Sequence, residues 1–222
     1  MRGRSRDVGH RPVHHPLFAR SYAWFAPLVD ERAGIAELRT EVLRGLAGRV
    51  LEIGAGSGLN FARYPRQVAE VVAVEPERHL RRRAVTAALR AGVPVDVVPA
   101  WAEALPVKSE AFDAAVSTLV LCSVRDLPRS LRELRRVVRP GGELRFLEHG
   151  RARGRGMALA QRALDRTVWP ALCGGCHTGR DIVAELRGAG FEIGDCRRLR
   201  VPERGVPLPT NSWVLGVAYR PA

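Results

Sequence analysis

The stretch of this 222-residue chain richest in chemical meaning is residues 50–58, V-L-E-I-G-A-G-S-G, followed by V-V-A-V-E-P with Glu75 near its end. A short apolar run, a glycine turn and a second apolar run closed by an acid form the front half of a nucleotide-binding β-α-β unit. Three physical needs meet there. The chain must turn sharply off a buried strand, its backbone must approach a ligand closely, and a carboxylate must accept from ribose hydroxyls. The spacing at Gly54, Gly56 and Gly58 is G-x-G-x-G, with Glu52 two residues ahead. Dinucleotide folds instead use G-x-G-x-x-G, whose third glycine lets helix and strand pack closely under a pyrophosphate.

A second group of reactive residues is Cys173-Gly174-Gly175-Cys176-His177, with Cys122 and Cys196 the remaining cysteines. A structural zinc site takes four ligands, usually from two paired clusters, and only Cys196 follows this pair. A thioredoxin-like pair should open a helix after a strand, whereas this one follows Trp169-Pro170. No metal is therefore expected, and the four cysteines read as reduced thiols of a cytoplasmic protein.

The elements that must position these residues follow from periodicity and punctuation. Aromatics cluster before residue 28 (Phe18, Tyr22, Trp24, Phe25). A helix is predicted over 30–46, with Asp30 as N-cap and Ile35, Leu38, Val42, Leu43 and Leu46 on one face. Strands are predicted at 50–53, 68–74, 95–98, 112–117 and 143–148. Helices are predicted at 77–91, ended by Gly92, and at 127–138, ended by Pro140-Gly141-Gly142. After Gly150 come an amphipathic segment near 157–168, a helix over 181–188 and two last strands, 191–199 and 213–219, able to form a hairpin at the sheet edge. Near-continuous apolar strands alternating with helices indicate a parallel sheet covered on both faces. The fold class is thus α/β, a Rossmann-like seven-stranded sheet, mostly parallel with an antiparallel last strand. Residues 1–16 read as a basic flexible tail, 17–222 as one domain, and 151–180 as an insertion on the substrate side.

The net charge of +13 comes almost wholly from arginine, Lys108 being the one lysine. Clusters fall at 2–11, 78–83, 132–139 and 151–155. No basic motif interleaved with aromatics appears, so the charge reads as solvated helix faces rather than a nucleic-acid surface. Peripheral contact with an anionic membrane stays open. No apolar run approaches the roughly 18 residues of a spanning helix, and the basic N-terminus lacks the apolar core of a secretory signal.

The glycine loop resembles motif I of class I S-adenosylmethionine (SAM) methyltransferases. So, in order, do V-P-A-W-A-E-A-L-P-V (98–107), F-D-A-A-V-S-T-L-V-L-C-S-V (112–124) and L-R-E-L-R-R-V-V-R-P-G-G (131–142). G-L-N-F-A-R-Y-P (58–65), F-L-E-H (146–149), L-D-R-T-V-W-P (164–170) and G-C-H-T-G-R-D (175–181) are similar to the methyltransferase-like thiol S-methyltransferases of animal endoplasmic reticulum and lipid droplets. Those proteins carry an apolar membrane anchor where this chain has a basic tail.

The resemblance implies methyl transfer from SAM to a small-molecule acceptor, a thiol first, with S-adenosylhomocysteine as product. Oxygen, nitrogen or carbon acceptors, and a module that binds without turnover, are the alternatives. It implies that Gly54, Ala55, Gly56 and Gly58 bend around the methionyl part, and that Glu52 orients its amino group, with Asn60 beside it. Glu75 takes the ribose hydroxyls, and Pro76 stiffens the turn under the adenine. Trp101, Ala102 and Glu103 line the adenine pocket, and Thr118 and Leu119 aim carbonyls at the methionyl ammonium. The sulfonium is already activated, so the enzyme chiefly aligns methyl and nucleophile and excludes water. A thiol must first ionise, and His149, just past the fifth strand, is the expected helper, with His177 second. Tyr22, Trp24 and Phe25 are read as a lid over the acceptor or a staple onto the domain, and Cys122 as a small side chain on the acceptor side. The oligomeric state is not legible.

Overall fold

The computed structural model describes residues 16–222, apart from some side chains of the first helix, that of Tyr22 among them. The expected basic tail therefore lies outside the described residues, except Pro16. Helix α1 (Pro16–Arg32) and helix α2 (Ile35–Leu43) precede strand β1 (Gly48–Ile53). Strand β2 (Val68–Val74), helix α3 (Arg78–Ala88), strand β3 (Val95–Val98), strand β4 (Phe112–Thr118), helix α4 (Leu127–Val137) and strand β5 (Val138–His149) complete the central unit. Helices α5 (Arg155–Asp165), α6 (Trp169–Leu172) and α7 (Ile182–Gly188) lead to strands β6 (Glu192–Arg200) and β7 (Ser212–Tyr219).

The seven strands lie in the order β3-β2-β1-β4-β5-β7-β6. All pair in parallel except β7, which runs antiparallel to both β5 and β6. Period-two alternation splits each strand between two cores. On β1, Leu51 and Ile53 join Leu131 and Leu134 of α4 and Ile182 and Leu186 of α7 on one face. Val50 turns to the other face, where Val42 and Leu43 of α2, Phe61 and Ala84 of α3 pack.

Three expected boundaries are corrected. The helix predicted over 30–46 is two helices, broken at Gly34, whose φ of +72° suits glycine. Asp30 is not an N-cap. It sits buried near the end of α1, ion-paired with Arg39 of α2 at 2.5 Å. Helix α3 ends at Ala88 rather than at Gly92, because Arg90 and Ala91 turn tightly onto the carbonyls of Ala87 and Ala88. Finally, Pro140-Gly141-Gly142 does not delay β5, which begins at Val138 and absorbs the triplet in a register shift against Phe112 and Ala114 of β4.

Many arginines hold the fold rather than decorate it. Arg136 donates to the carbonyls of Val107 and Leu105, Arg220 to those of Arg135 and Val138, and Arg81 to those of Glu75 and Pro76. A planar fork with five donors can bridge two loop carbonyls in a way an ammonium on a flexible stem cannot.

Candidate active site

At the carboxyl end of β1 the chain leaves the sheet through Gly54 and Gly56, both at φ +57°, and Gly58 at φ +83°. At Gly54 a β-carbon would lie 2.5 Å from the Val120 side chain, so the loop can pass there only without one. Glu75, just past the end of β2, ties the loop down. Its Oε2 accepts from the N–H of Gly56 and its Oε1 from the N–H of Glu77, both at 2.8 Å. Burial lifts the Glu75 carboxyl from 4.5 to about 7, against the two backbone donors that pull it down.

Beneath the loop lies a buried polar network. Glu52 accepts from Tyr64 Oη at 2.7 Å and Asn60 Nδ2 at 3.0 Å. Asn60 Nδ2 also donates to Thr118 Oγ1, and Arg39 donates to Asp30, Asn60 and Thr118. Burial likewise raises Glu52 to about 7, with Tyr64, Arg39 and Asn60 opposing. In the ligand-free protein the sign of this linkage is clear. A carboxyl whose folded pKa is raised favours the fold in its protonated form. Both groups therefore support the fold most below about pH 4.5 and lose that support as pH rises to about 7.

A cleft with about 980 Å³ of open space lies above the ends of β1, β2 and β4. Of the expected cofactor residues, Gly54, Gly56, Glu75, Pro76, Trp101, Ala102, Glu103, Thr118 and Leu119 line it. Glu52, Ala55, Gly58 and Asn60 do not, since they form the layer underneath. These residues fit a nucleoside. A nearly buried carboxylate sits at one end, with Pro76, Leu80 and Ala102 as apolar walls and Trp101 carrying the Arg125 guanidinium 5.6 Å from its ring centroid. The Glu103 carboxylate is engaged elsewhere, accepting from the N–H groups of Arg125 and Asp126 at the start of α4.

Two more features shape the cleft, and only the second, Glu148, was not singled out from the sequence. Leu119 adopts φ +61°, a conformation rare for a branched residue, and its N–H bonds to Leu147 O at 2.8 Å. Glu148, fully buried on β5, holds the loop that follows β4. Its Oε1 accepts from Ser117 Oγ, Val120 N and Leu121 N, and its Oε2 from Cys122 N. The sequence signal for Glu148 was only the F-L-E-H string, which does not say that its carboxylate points inward.

The expected acceptor residues fall differently. His149 does not line the cleft. Its Nδ1 lies 3.6 Å from Cys122 Sγ and 3.4 Å from Cys176 Sγ, and its ring meets Trp213 edge-on at 5.0 Å. His177 does not line the cleft either, its Nδ1 donating to Gly175 O at 2.7 Å. Neither imidazole is among the residues that line the cleft, and each meets the nearer partners just given. Cys122 is buried behind the wall formed by Val120, Ser123 and Val124. Trp24 and Phe25 are 70% and 60% exposed on α1, so they are not packed onto the domain as a staple, while Ala19 of the same helix lines the cleft. Gly174 brings the 151–180 segment into the cleft wall. Among the described residues, no helix is long and apolar enough to cross a membrane.

The Methyltransferase domain family matches residues 51–146. The human thiol S-methyltransferase TMT1B is 30% identical over 183 residues, covering 80% of this chain and 74% of that protein. The ubiquinone/menaquinone biosynthesis C-methyltransferase UbiE of Syntrophotalea carbinolica is 35% identical over 150 residues, covering 66% and 62%. A solved structure of a SAM-dependent methyltransferase from Thermotoga maritima, titled a possible histamine N-methyltransferase, shares the fold. Its TM-score is 0.65 at 24% identity, over 92% of this chain and 98% of that one.

Proposed function

Because this chain belongs to the SAM-dependent methyltransferases and takes SAM as its cofactor, we propose that it methylates the sulfur of a small thiol. One observation carries this reading: the similarity to thiol S-methyltransferases spans 80% of the chain and includes the 151–180 segment that reaches the cleft wall. The cleft chemistry agrees with it. Its lining includes the apolar side chains of Ala19, Leu80, Val120 and Val124, which suit a small apolar acceptor.

In this reading SAM supplies an activated methyl group when bound. The chain's own residues bind, orient and exclude water. Glu75 accepts the ribose hydroxyls, Ala102 and Trp101 flank the adenine, and the carbonyls at Thr118 and Leu119 receive the methionyl ammonium. Glu52 and Asn60 hold the loop from below.

The test is S-adenosylhomocysteine release from a panel of thiols, phenols, amines and RNA. Thiols should turn over at least about tenfold faster than the rest, with a rate that rises with pH and levels as thiolate fills. Turnover of phenols or quinols with none of thiols would overturn the proposal. It would favour the second reading, a carbon or oxygen acceptor of quinone type, which the similarity to UbiE supports.

A pH effect on cofactor affinity follows from Glu75. Ribose hydroxyls donate to the ionised carboxylate, yet the free group titrates near 7. Binding below that pH must expel a proton. Affinity for S-adenosylhomocysteine should therefore rise roughly tenfold per unit between about pH 5 and 7 and then level off. Calorimetry in buffers of different ionisation enthalpy should count the released proton, and Glu75→Gln should abolish both the slope and the release.

A further inference from the structure

The sequence reading set metal aside by counting ligands around Cys173-Gly-Gly-Cys176, but the fold does not use that pair as a pair. It brings Cys176 to Cys122 and His149, residues 54 and 27 positions away in the chain. The three ligand atoms surround one point. Sγ of Cys176 lies 3.9 Å from Sγ of Cys122, and His149 Nδ1 lies 3.4 Å and 3.6 Å from the two sulfurs. A tetrahedral zinc ion, with Zn–S about 2.3 Å and Zn–N about 2.0–2.1 Å, sets two sulfurs about 3.8 Å apart and a sulfur and a nitrogen about 3.6 Å apart. The observed triangle matches those spacings on all three sides. Among the described residues this is the one such group of three or more His, Cys, Asp or Glu side chains.

We propose that Cys122 Sγ, His149 Nδ1 and Cys176 Sγ bind one zinc ion through a three-ligand site. The surroundings suit that ion. Two thiolates balance its charge, and loading releases the two thiol protons to solvent. Arg180 is anchored beside the cluster, donating to Leu121 O at 2.7 Å. Trp213 braces the imidazole edge-on. The ligands come from the loop after β4, the end of β5 and the turn after α6. The ion therefore staples together the segments whose neighbouring residues, Ser123 and Gly174, line the cleft. Three protein ligands leave the fourth position to water. The inference does not depend on which acceptor the enzyme methylates.

The test is metal analysis of the untagged full-length protein, loaded with zinc and then desalted. About one zinc per chain should remain, and zinc loading should raise the melting temperature. Cys122→Ser and Cys176→Ser should each lose most of the zinc. Cys173→Ser, Cys196→Ser and a triple His10→Ala, His14→Ala, His15→Ala variant should keep it. Cobalt substituted into the unmutated protein gives a readout that needs no variant: thiolate-to-cobalt charge transfer and the intense visible bands of a tetrahedral ion. Any of three results would overturn the site: no zinc retained, zinc retained equally in both cysteine variants, or a weak octahedral cobalt spectrum. Loss of zinc with the N-terminal histidines alone would do the same.

Discussion

Glu75→Ala should weaken binding of SAM and of S-adenosylhomocysteine by about 1–3 kcal/mol, roughly 5- to 150-fold, with NAD failing to bind either protein. Two losses combine in that figure. The carboxylate is the proposed acceptor for the ribose hydroxyls, and it also holds the N–H groups of Gly56 and Glu77, which the substitution strands. A cofactor analogue without ribose hydroxyls separates them. If the carboxylate receives those hydroxyls, the analogue should bind the unmutated protein poorly and lose much less on substitution than the natural cofactor does. Affinity for S-adenosylhomocysteine unchanged within about twofold would remove the ribose assignment. An equal loss for both ligands would leave Glu75 as a support of the glycine loop alone.

The largest stability effect is expected at Glu148. Glu148→Ala should cost about 3–5 kcal/mol in urea unfolding, because it strands a hydroxyl and three backbone N–H groups in a water-free interior and opens a cavity. Glu148→Gln should cost less, roughly 1–3 kcal/mol, since one amide oxygen can still serve the donors now on Oε1 while its NH₂ faces the Cys122 N–H. The order of the two variants carries the argument. Equal losses would mean that shape rather than hydrogen bonding sets the role of Glu148. A loss below about 1 kcal/mol for the alanine variant would mean that the loop over residues 120–122 holds itself. Because that loop carries Cys122 and borders the cleft, both variants should be measured with and without added zinc.

The conversion of charge into structure also changes how the basic composition reads. A net charge of +13 invites a polyanion as partner. Yet Arg81, Arg136, Arg180 and Arg220 donate to main-chain carbonyls, and Arg39 is buried under the glycine turn. Composition counts such residues as surface charge, and only their partners show that they join elements.

What the sequence alone determined is local in origin. Strand and helix periods depend on neighbours two to four residues away, so β2 and β3 fall where the apolar runs put them. The left-handed glycines and the acid after the second strand are likewise properties of a short segment, which is why the glycine loop and its acid were legible in the sequence. What only the tertiary structure decided involves partners far apart in the chain. Asp30 looked like a helix cap because a cap is judged from the residues just after it, while its actual partner, Arg39, sits on the next helix. Glu148 looked like one more residue of a strand until its carboxylate met three N–H groups about 27 residues away. Cys176 looked paired with Cys173 through spacing, whereas its neighbours in space are Cys122 and His149. Buried polar groups choose partners by which segments the sheet order brings to one edge. That order, β4 beside β5 beside β7, is set by packing over the whole domain and by no local run of residues.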